Sequence, residues 1–177
     1  PASSGRRHLR YVDCDLRSIV EIQAAIGRRT QQTPAGQWVQ GFKYDDTKTA
    51  EKRPLSRKDL DAVSSDHPIY IRHRGGHTAY VNSQAFAAAG INEDTGDPPG
   101  GHIDRDIRGR LTGKLEERAT DLFDKIIPST FSREDYLEGV KLISRMMTRA
   151  GVTSVHDAYG TPKDLRAYQD ARQSGGL

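Results

Sequence analysis

The C-terminal part of the chain constrains the fold most, because a helical pattern there leads directly into a strand pattern. Ser132 and Asp135 have the spacing of a capping box, and apolar residues recur at helical intervals up to Gly151. The next residues, VTSVHDA (152–158), are rich in β-branched side chains, and a second helical pattern begins at Thr161. A helix that leads into a strand and then into another helix is the repeating unit of α/β proteins. The pattern therefore predicts the α/β class, with 152–158 as a strand.

Shorter patterns upstream predict the remaining elements. Helices are predicted after Ser18, after Ser56, at SQAFAAAG (83–90) and at EERATDLFDKI (116–126). Strands are predicted at LRYVDCDL (9–16, a short edge strand), Trp38–Tyr44, PIYIRH (68–73) and in a hairpin over HIDRDIRGRLTGKL (102–115). Together they predict a small mixed sheet, a β-hairpin and about five helices. Taken alone, such a segment is of the α+β type.

The composition excludes several functional classes. The 177-residue chain has a net charge of only +3, and its acids and bases are interspersed, so it lacks the clustered basic face that nucleic-acid binding needs; only GRRHLR (5–10) hints at one. No apolar run approaches the length of a membrane span. A single cysteine, Cys14, excludes an internal disulfide and fits a reducing compartment. We therefore expect a soluble, cytoplasmic protein that binds neither nucleic acid nor membrane.

The stretch RHRGGHTAYVNSQAFAAAG (72–90) raises a functional question, because His77 follows two glycines at the end of a predicted strand. Glycines let backbone approach a ligand, but the same pair also serves a plain turn. The chain has six histidines, yet neither H-x-H nor H-E-x-x-H occurs. His73 and His77 would share a face only if their segment were helical. From the residues alone we expect no self-contained metal site, and no reaction is indicated.

Four blocks of the sequence carry a resemblance that extends this reading. They are GQWVQGFKYDD (36–46), PLSRKDLDAVSSDHPIYIRHRGGHTAYVNSQAFAAAGI (54–91), DPPGGHIDRDIRGRLTGKLEERA (97–119) and RAGVTSVHDA (149–158). In this order and spacing they resemble the YtcJ-like branch of the metal-dependent amidohydrolase superfamily. The resemblance covers about residues 11–160. It therefore rests on several separate motifs rather than on one.

The resemblance implies a fold and an activity for a longer enzyme. Members of this family look like TIM-type barrels that hold zinc or another divalent metal and hydrolyse carbon–nitrogen bonds in non-peptide amides. The H-x-H pair of the first barrel strand is missing here, and Pro1 is not a starting Met. The chain therefore resembles a fragment: residues 1–150 correspond to the insertion on the substrate side between the first two barrel strands, and 151–177 to the second strand and its helix. We expect this fragment to be inactive alone and to bind no cofactor by itself.

The resemblance also implies roles for particular residues. It implies contacts of a small amide substrate with His77, Asn82 and Trp38, although a Trp in a strand is more often a core residue. It implies metal-site roles for Glu117 and, more weakly, for His156, although Glu116 and Glu117 beside Arg118 also fit a solvated helix face. No residue of the chain is predicted to be catalytic.

Two alternatives remain open at this stage. In one, the chain is part of a carbon–nitrogen hydrolase. In the other, it is a non-catalytic binding or interaction module with the same architecture. A severed barrel edge could expose unpaired strand groups that pair between chains, so self-association as a homo-oligomer is predicted on that ground.

Overall fold

Six strands and seven α-helices make up the secondary structure of residues 2–128, 131–158 and 160–177, which the computed structural model describes. The strands are β1 (Val12–Asp13), β2 (Val39–Tyr44), β3 (Ile69–His73), β4 (Thr78–Val81), β5 (Gly101–Arg105) and β6 (Leu111–Glu117). The helices are α1 (Ala2–Arg10), α2 (Ile19–Thr30), α3 (Arg57–Asp61), α4 (Ser83–Ala89), α5 (Asp121–Asp124), α6 (Arg133–Arg149) and α7 (Pro162–Gln173). A 3₁₀ turn, Arg118–Thr120, precedes α5.

The chain divides into two units. Residues 12–128 form the sheet unit, and the described residues of 1–11 and 129–177 form the helical unit. The sheet order is β1-β2-β3-β4-β6-β5, in which β1, β2 and β3 run parallel and the other neighbours are antiparallel. The small mixed sheet, the edge position of β1 and the β5–β6 hairpin confirm the sequence predictions.

The sheet unit buries apolar side chains on both faces of its sheet, because successive strand residues point to opposite sides. Ile69 and Ile71 of β3 pack in one core with residues of α2 and α3, whereas Tyr70 packs in the other core with residues of α4 and α5. Because both faces of the sheet are buried, the strands keep a fixed register. The register determines which residues meet at the strand ends.

Most helix boundaries follow their caps. The hydroxyls of Ser18, Ser56, Ser132 and Thr161 each accept a hydrogen bond from the backbone N–H three residues later, at the start of α2, α3, α6 and α7. Complete capping boxes are present in α3, α6 and α7. These helix starts agree with the sequence predictions.

The helical unit depends on a close crossing of α1 and α6. A Cβ on Gly5 would lie 2.0 Å from the carbonyl oxygen of Gly139, so only glycine permits this approach. Arg6 is buried beside this crossing and forms an ion pair with Asp164 of α7. The sequence analysis did not predict α1, because its buried residues are small or charged and show no apolar periodicity.

Three further expectations need correction. Residues 152–157 lie in neither strand nor helix, and Val152 and Val155 are exposed; a strand needs a neighbour to accept its hydrogen bonds, and the described residues place none beside it. Glu116 and Glu117 end β6 rather than lying on a helix, because β5 pairs with them. Seven α-helices lie in the described residues against about five expected, because α1 was not predicted; the helix predicted at 116–126 shortens to Asp121–Asp124, preceded by the 3₁₀ turn.

Among the described residues, no helix combines the length and the apolar character needed to cross a bilayer.

Candidate functional site

Two residues that the sequence analysis singled out, His77 and Glu117, lie together in the sheet unit. Antiparallel pairing of β4 with β6 sets Thr78 opposite Glu116, so the residues just beyond this pair also meet. The backbone N–H of Glu117 donates to the carbonyl of His77 at 2.7 Å, and His77 Nδ1 lies 3.1 Å from Glu117 Oε2. Both side chains are largely exposed, at 75% and 62%. The pair is therefore open to a ligand.

The backbone of Glu117 is strained. Its φ of 49° and ψ of −127° lie in a region that favours glycine. The conformation is held by three hydrogen bonds: Glu117 N–H to His77, Thr120 Oγ1 to the Glu117 carbonyl at 2.8 Å, and Arg118 N–H to the Gly100 carbonyl at 3.2 Å. Strain of this kind costs on the order of 1–3 kcal/mol and is concentrated at functional sites.

A shallow depression of about 440 Å³ lies beside this pair. Its lining comprises Thr78, Gly100, Gly101, His102, Glu116 and Glu117. His102 Nδ1 lies 2.7 Å from Asp97 Oδ2, and this hydrogen bond raises the pKa of the imidazole. The depression thus combines carboxylates with a histidine that can carry a positive charge, a set suited to hydrogen bonding with a small polar ligand.

The sequence analysis did not select His102, although a signal was present. The tripeptide Gly-Gly-His occurs twice, ending at His77 and at His102. Because β4 and β5 lie on either side of β6, both histidines come near the end of that strand. The repeated tripeptide could therefore have indicated His102 as a candidate.

Asn82 has a structural position. Its side chain is fully buried; Oδ1 accepts from the N–H groups of Ile69 at 2.9 Å and Ala85 at 3.0 Å. Its Nδ2 donates to the carbonyls of His67 at 2.9 Å and Ser64 at 3.4 Å. These four bonds use the whole hydrogen-bonding capacity of an amide side chain. The amide therefore bridges backbone groups of several segments in this geometry. Its predicted contact with a substrate stays a prediction.

The other two predicted residues, Trp38 and His156, have surroundings of their own. Trp38 is half-buried and packs edge-on against Phe123, with the ring centroids 6.4 Å apart, which is the core role considered as the alternative. His156 is exposed and belongs to the helical unit. The structure thus brings together two of the five predicted residues.

One group within the described ranges has the spacing of metal ligands: Asp45, Asp46 and His73, whose candidate ligand atoms lie within 4.8 Å of one another. These residues do not fit a bound metal. His73 Nδ1 accepts from the Gly75 N–H at 3.1 Å, so a neutral ring carries its hydrogen on Nε2, which faces Asp46 at 3.4 Å and has no lone pair for an ion. Asp45 is already paired with the Arg74 guanidinium at 3.2 Å. No chemical step is therefore assigned to a metal at this position.

Comparison with known proteins identifies the family. Residues 3–177 match the model of the amidohydrolase family, and the chain belongs to that family, as its motifs predicted. It is 32% identical over 170 residues to an N-substituted formamide deformylase of Arthrobacter pascens, covering 93% of this chain and 31% of that protein. It is 30% identical over 176 residues to the putative amidohydrolase YtcJ of Bacillus subtilis, covering 97% and 33%.

Solved structures support the same assignment. A metal-dependent hydrolase of Pyrococcus horikoshii matches with a TM-score of 0.57 at 25% identity, over 99% of this chain and 32% of that one. A second, from Pyrococcus furiosus, matches at 0.56 and 23%, over 99% and 34%, and shows the fold alone. The chain thus spans about a third of the length of the proteins that it matches.

Proposed function

We propose that this chain is the substrate-side part of a metal-dependent hydrolase that cleaves carbon–nitrogen bonds in small non-peptide amides, and that His77 and Glu117 contact the substrate. Family membership supports the reaction class, as do relatives described as a formamide deformylase and as metal-dependent hydrolases. The strained backbone of Glu117 carries the assignment of the residues, because an exposed ion pair would not by itself offset that strain.

The chemistry of the pair suits an amide. With the Nδ1 hydrogen donated to Glu117 Oε2, the Nε2 atom of His77 and the Oε1 atom of Glu117 keep free hydrogen-bonding capacity. The carboxylate can accept an amide N–H, and a protonated His77 can donate to an amide carbonyl. The pair can thereby orient a substrate, which lowers the entropic part of a reaction barrier.

The remaining parts of this proposal concern the longer enzyme. We propose that it is a TIM-type barrel with zinc or another divalent metal, that residues 1–150 form the insertion and 151–177 the second barrel strand and its helix, and that Glu117 approaches the metal. The exposed β-branched residues of 152–157 support this placement, because a barrel would supply the missing neighbours. A cytoplasmic location, self-association and the inactivity of this segment alone belong to the same proposal.

The test uses the full-length protein of which this chain is a part. Release of amine and carboxylate from a panel of N-substituted formamides and other small amides would be measured for the wild type and for Glu117→Gln and His77→Gln. We expect kcat/KM to fall about 100-fold in each variant, the scale of a lost positioning contact. Glu134→Gln, at an exposed carboxylate in the helical unit, is the matched control and should keep full activity.

Two results would contradict the proposal. Equal activity of Glu117→Gln and Glu134→Gln would remove Glu117 from the site. No hydrolysis of any amide by a metal-loaded wild-type protein would favour the non-catalytic module instead. The metal content of the present chain, purified without chelator, is a separate test, and near-stoichiometric zinc that Glu117→Gln abolishes would show that the segment has a metal site of its own.

A further inference from the structure

A pocket of about 240 Å³ lies in the helical unit and shares no lining residue with the depression beside Glu117. It lies along the start of α6 and one face of α7, and its lining comprises Phe131, Arg133, Tyr136, Lys163, Arg166, Ala167 and Asp170. Two aromatic rings and three cations thus surround a space large enough for a small organic molecule.

The charge of this pocket is positive. Arg133 is neutralised by Asp170, since its Nε and Nη2 atoms lie 3.0 and 2.9 Å from the same carboxylate oxygen. Lys163 and Arg166 are exposed and have no acidic partner among the described residues. They stand three positions apart on α7, so they lie on one face of the helix. Two positive charges therefore remain uncompensated at the pocket.

The acidic residues of the two helix starts do not compensate these charges. Asp164 is 3% exposed and bonds to the Thr161 N–H and hydroxyl and to Arg6. Asp135 bonds in the same way to Ser132 and Arg10. Both carboxylates are thus directed to their caps and to arginines of α1, and Glu134, the third acidic residue of these helix starts, is exposed and does not line the pocket.

The aromatic wall has a fixed geometry. The rings of Phe131 and Tyr136 meet edge to face, with centroids 6.4 Å apart. The Arg6 guanidinium carbon lies 3.9 Å from the centroid of Tyr136 and fixes one face of that ring. Ala167 on α7 is buried and leaves room for a flat body. A rigid apolar wall beside two free cations is the combination that recognises an organic anion.

We propose that this pocket binds a small aromatic carboxylate, with the carboxylate on Lys163 and Arg166 and the ring against Phe131 and Tyr136. The charge imbalance selects an anion, and the half-buried rings select a planar apolar body over a hydrated inorganic ion. The proposal concerns a second site and does not depend on the proposed hydrolase function.

The test uses benzoate as the probe. Binding would be followed by ¹H–¹⁵N NMR of this chain at low ionic strength, because exposed charges are screened by salt. We expect saturable shifts centred on residues 131–136 and 163–170. In a Lys163→Gln/Arg166→Gln variant, the affinity should fall at least 10-fold. Arg145→Gln, which removes an exposed cation of α6 outside the pocket, should bind like the wild type.

Inorganic phosphate is a second probe that distinguishes attraction by the positive charges from recognition by the aromatic wall. We expect it to bind at least 10-fold more weakly than benzoate. Phosphate binding as tight as that of benzoate would overturn the proposal, because the aromatic wall would then contribute nothing. No saturable benzoate binding in the millimolar range, or equal affinity in the double variant and the wild type, would also overturn it. The NMR spectrum itself shows whether each variant is folded.

Discussion

His77 Nδ1 lies 3.1 Å from Glu117 Oε2, although 40 positions separate the two residues in the chain. Antiparallel pairing of β4 with β6 makes this contact, and Gly100 on the adjoining loop accepts from the next N–H, that of Arg118. Three segments thus hold Glu117 in a conformation that a glycine would adopt with less strain. We therefore expect a substitution of Glu117 that relieves this strain to stabilise the fold while it lowers the activity.

We expect Glu117→Gly to raise the free energy of unfolding by about 1 kcal/mol relative to Glu117→Ala, because glycine relieves the positive φ. The ion pair with His77 contributes little, since both side chains are exposed. Urea unfolding measures the difference. At Glu116, which lies in regular β6, the order should reverse and alanine should be the more stable. A glycine variant less stable than alanine at Glu117 would disprove the strain.

Replacement of Asn82 tests its structural role. We expect Asn82→Ala to lower the free energy of unfolding by about 3 kcal/mol, because two buried N–H groups and two carbonyls lose their partner and α4 loses its cap. Gln84→Ala, at an exposed position of the same helix, should change it by less than about 0.5 kcal/mol. Thermal unfolding of both variants provides the comparison, and similar midpoints would contradict this reading of Asn82.

Two glycine-to-alanine changes should have opposite effects. Gly5→Ala places a methyl group against the Gly139 carbonyl, and we expect it to lower the free energy of unfolding of the helical unit by about 2 kcal/mol or more. Gly27→Ala lies within α2, where the nearest atom to a new Cβ is Val63 Cγ1 at 3.8 Å, and should stabilise by about 0.5–1 kcal/mol. Circular dichroism during urea unfolding distinguishes them. Destabilisation by both would show that helix crossing is not the cause.

Asp59 should make folding sensitive to acid. Its hydrogen bonds to Arg53 hold the pKa of the carboxyl down at about 2, against an ordinary 3.8. Because the folded pKa is the lower one, the unfolded chain takes up its proton first. The stabilisation is present above about pH 4 and is lost as the pH falls toward 2.

The matching experiment compares the wild type with Asp59→Asn in urea between pH 6 and pH 3. Arg53 is half-exposed, so we expect the stability difference between them to shrink by only about 1 kcal/mol over this range. Gln84→Ala, which removes no titratable group, should keep a constant difference from the wild type. Parallel curves for Asp59→Asn would show that the ion pair with Arg53 contributes nothing to folding.

Local chemistry in the sequence determined most helix starts and five of the six sheet strands, β4 being the one that was not predicted. Ser56 and Ser132 cap their helices as their spacing predicted. The strand predicted at 68–73 places Ile69 and Tyr70 on opposite faces of the sheet. These features depend on interactions within a few residues, so they can be derived without a tertiary fold. The motifs likewise sufficed to identify the family.

Tertiary structure decided what depends on distant partners. The pairing of β6 with β4 and β5 made Glu117 a strained strand end rather than a helical residue and placed it beside His77. The close crossing with α6 stabilises α1, although α1 has no apolar stripe. Residues 152–157 have the composition of a strand but lack a neighbour among the described residues. Composition sets what a segment can form, whereas hydrogen-bonding partners far along the chain determine whether it forms.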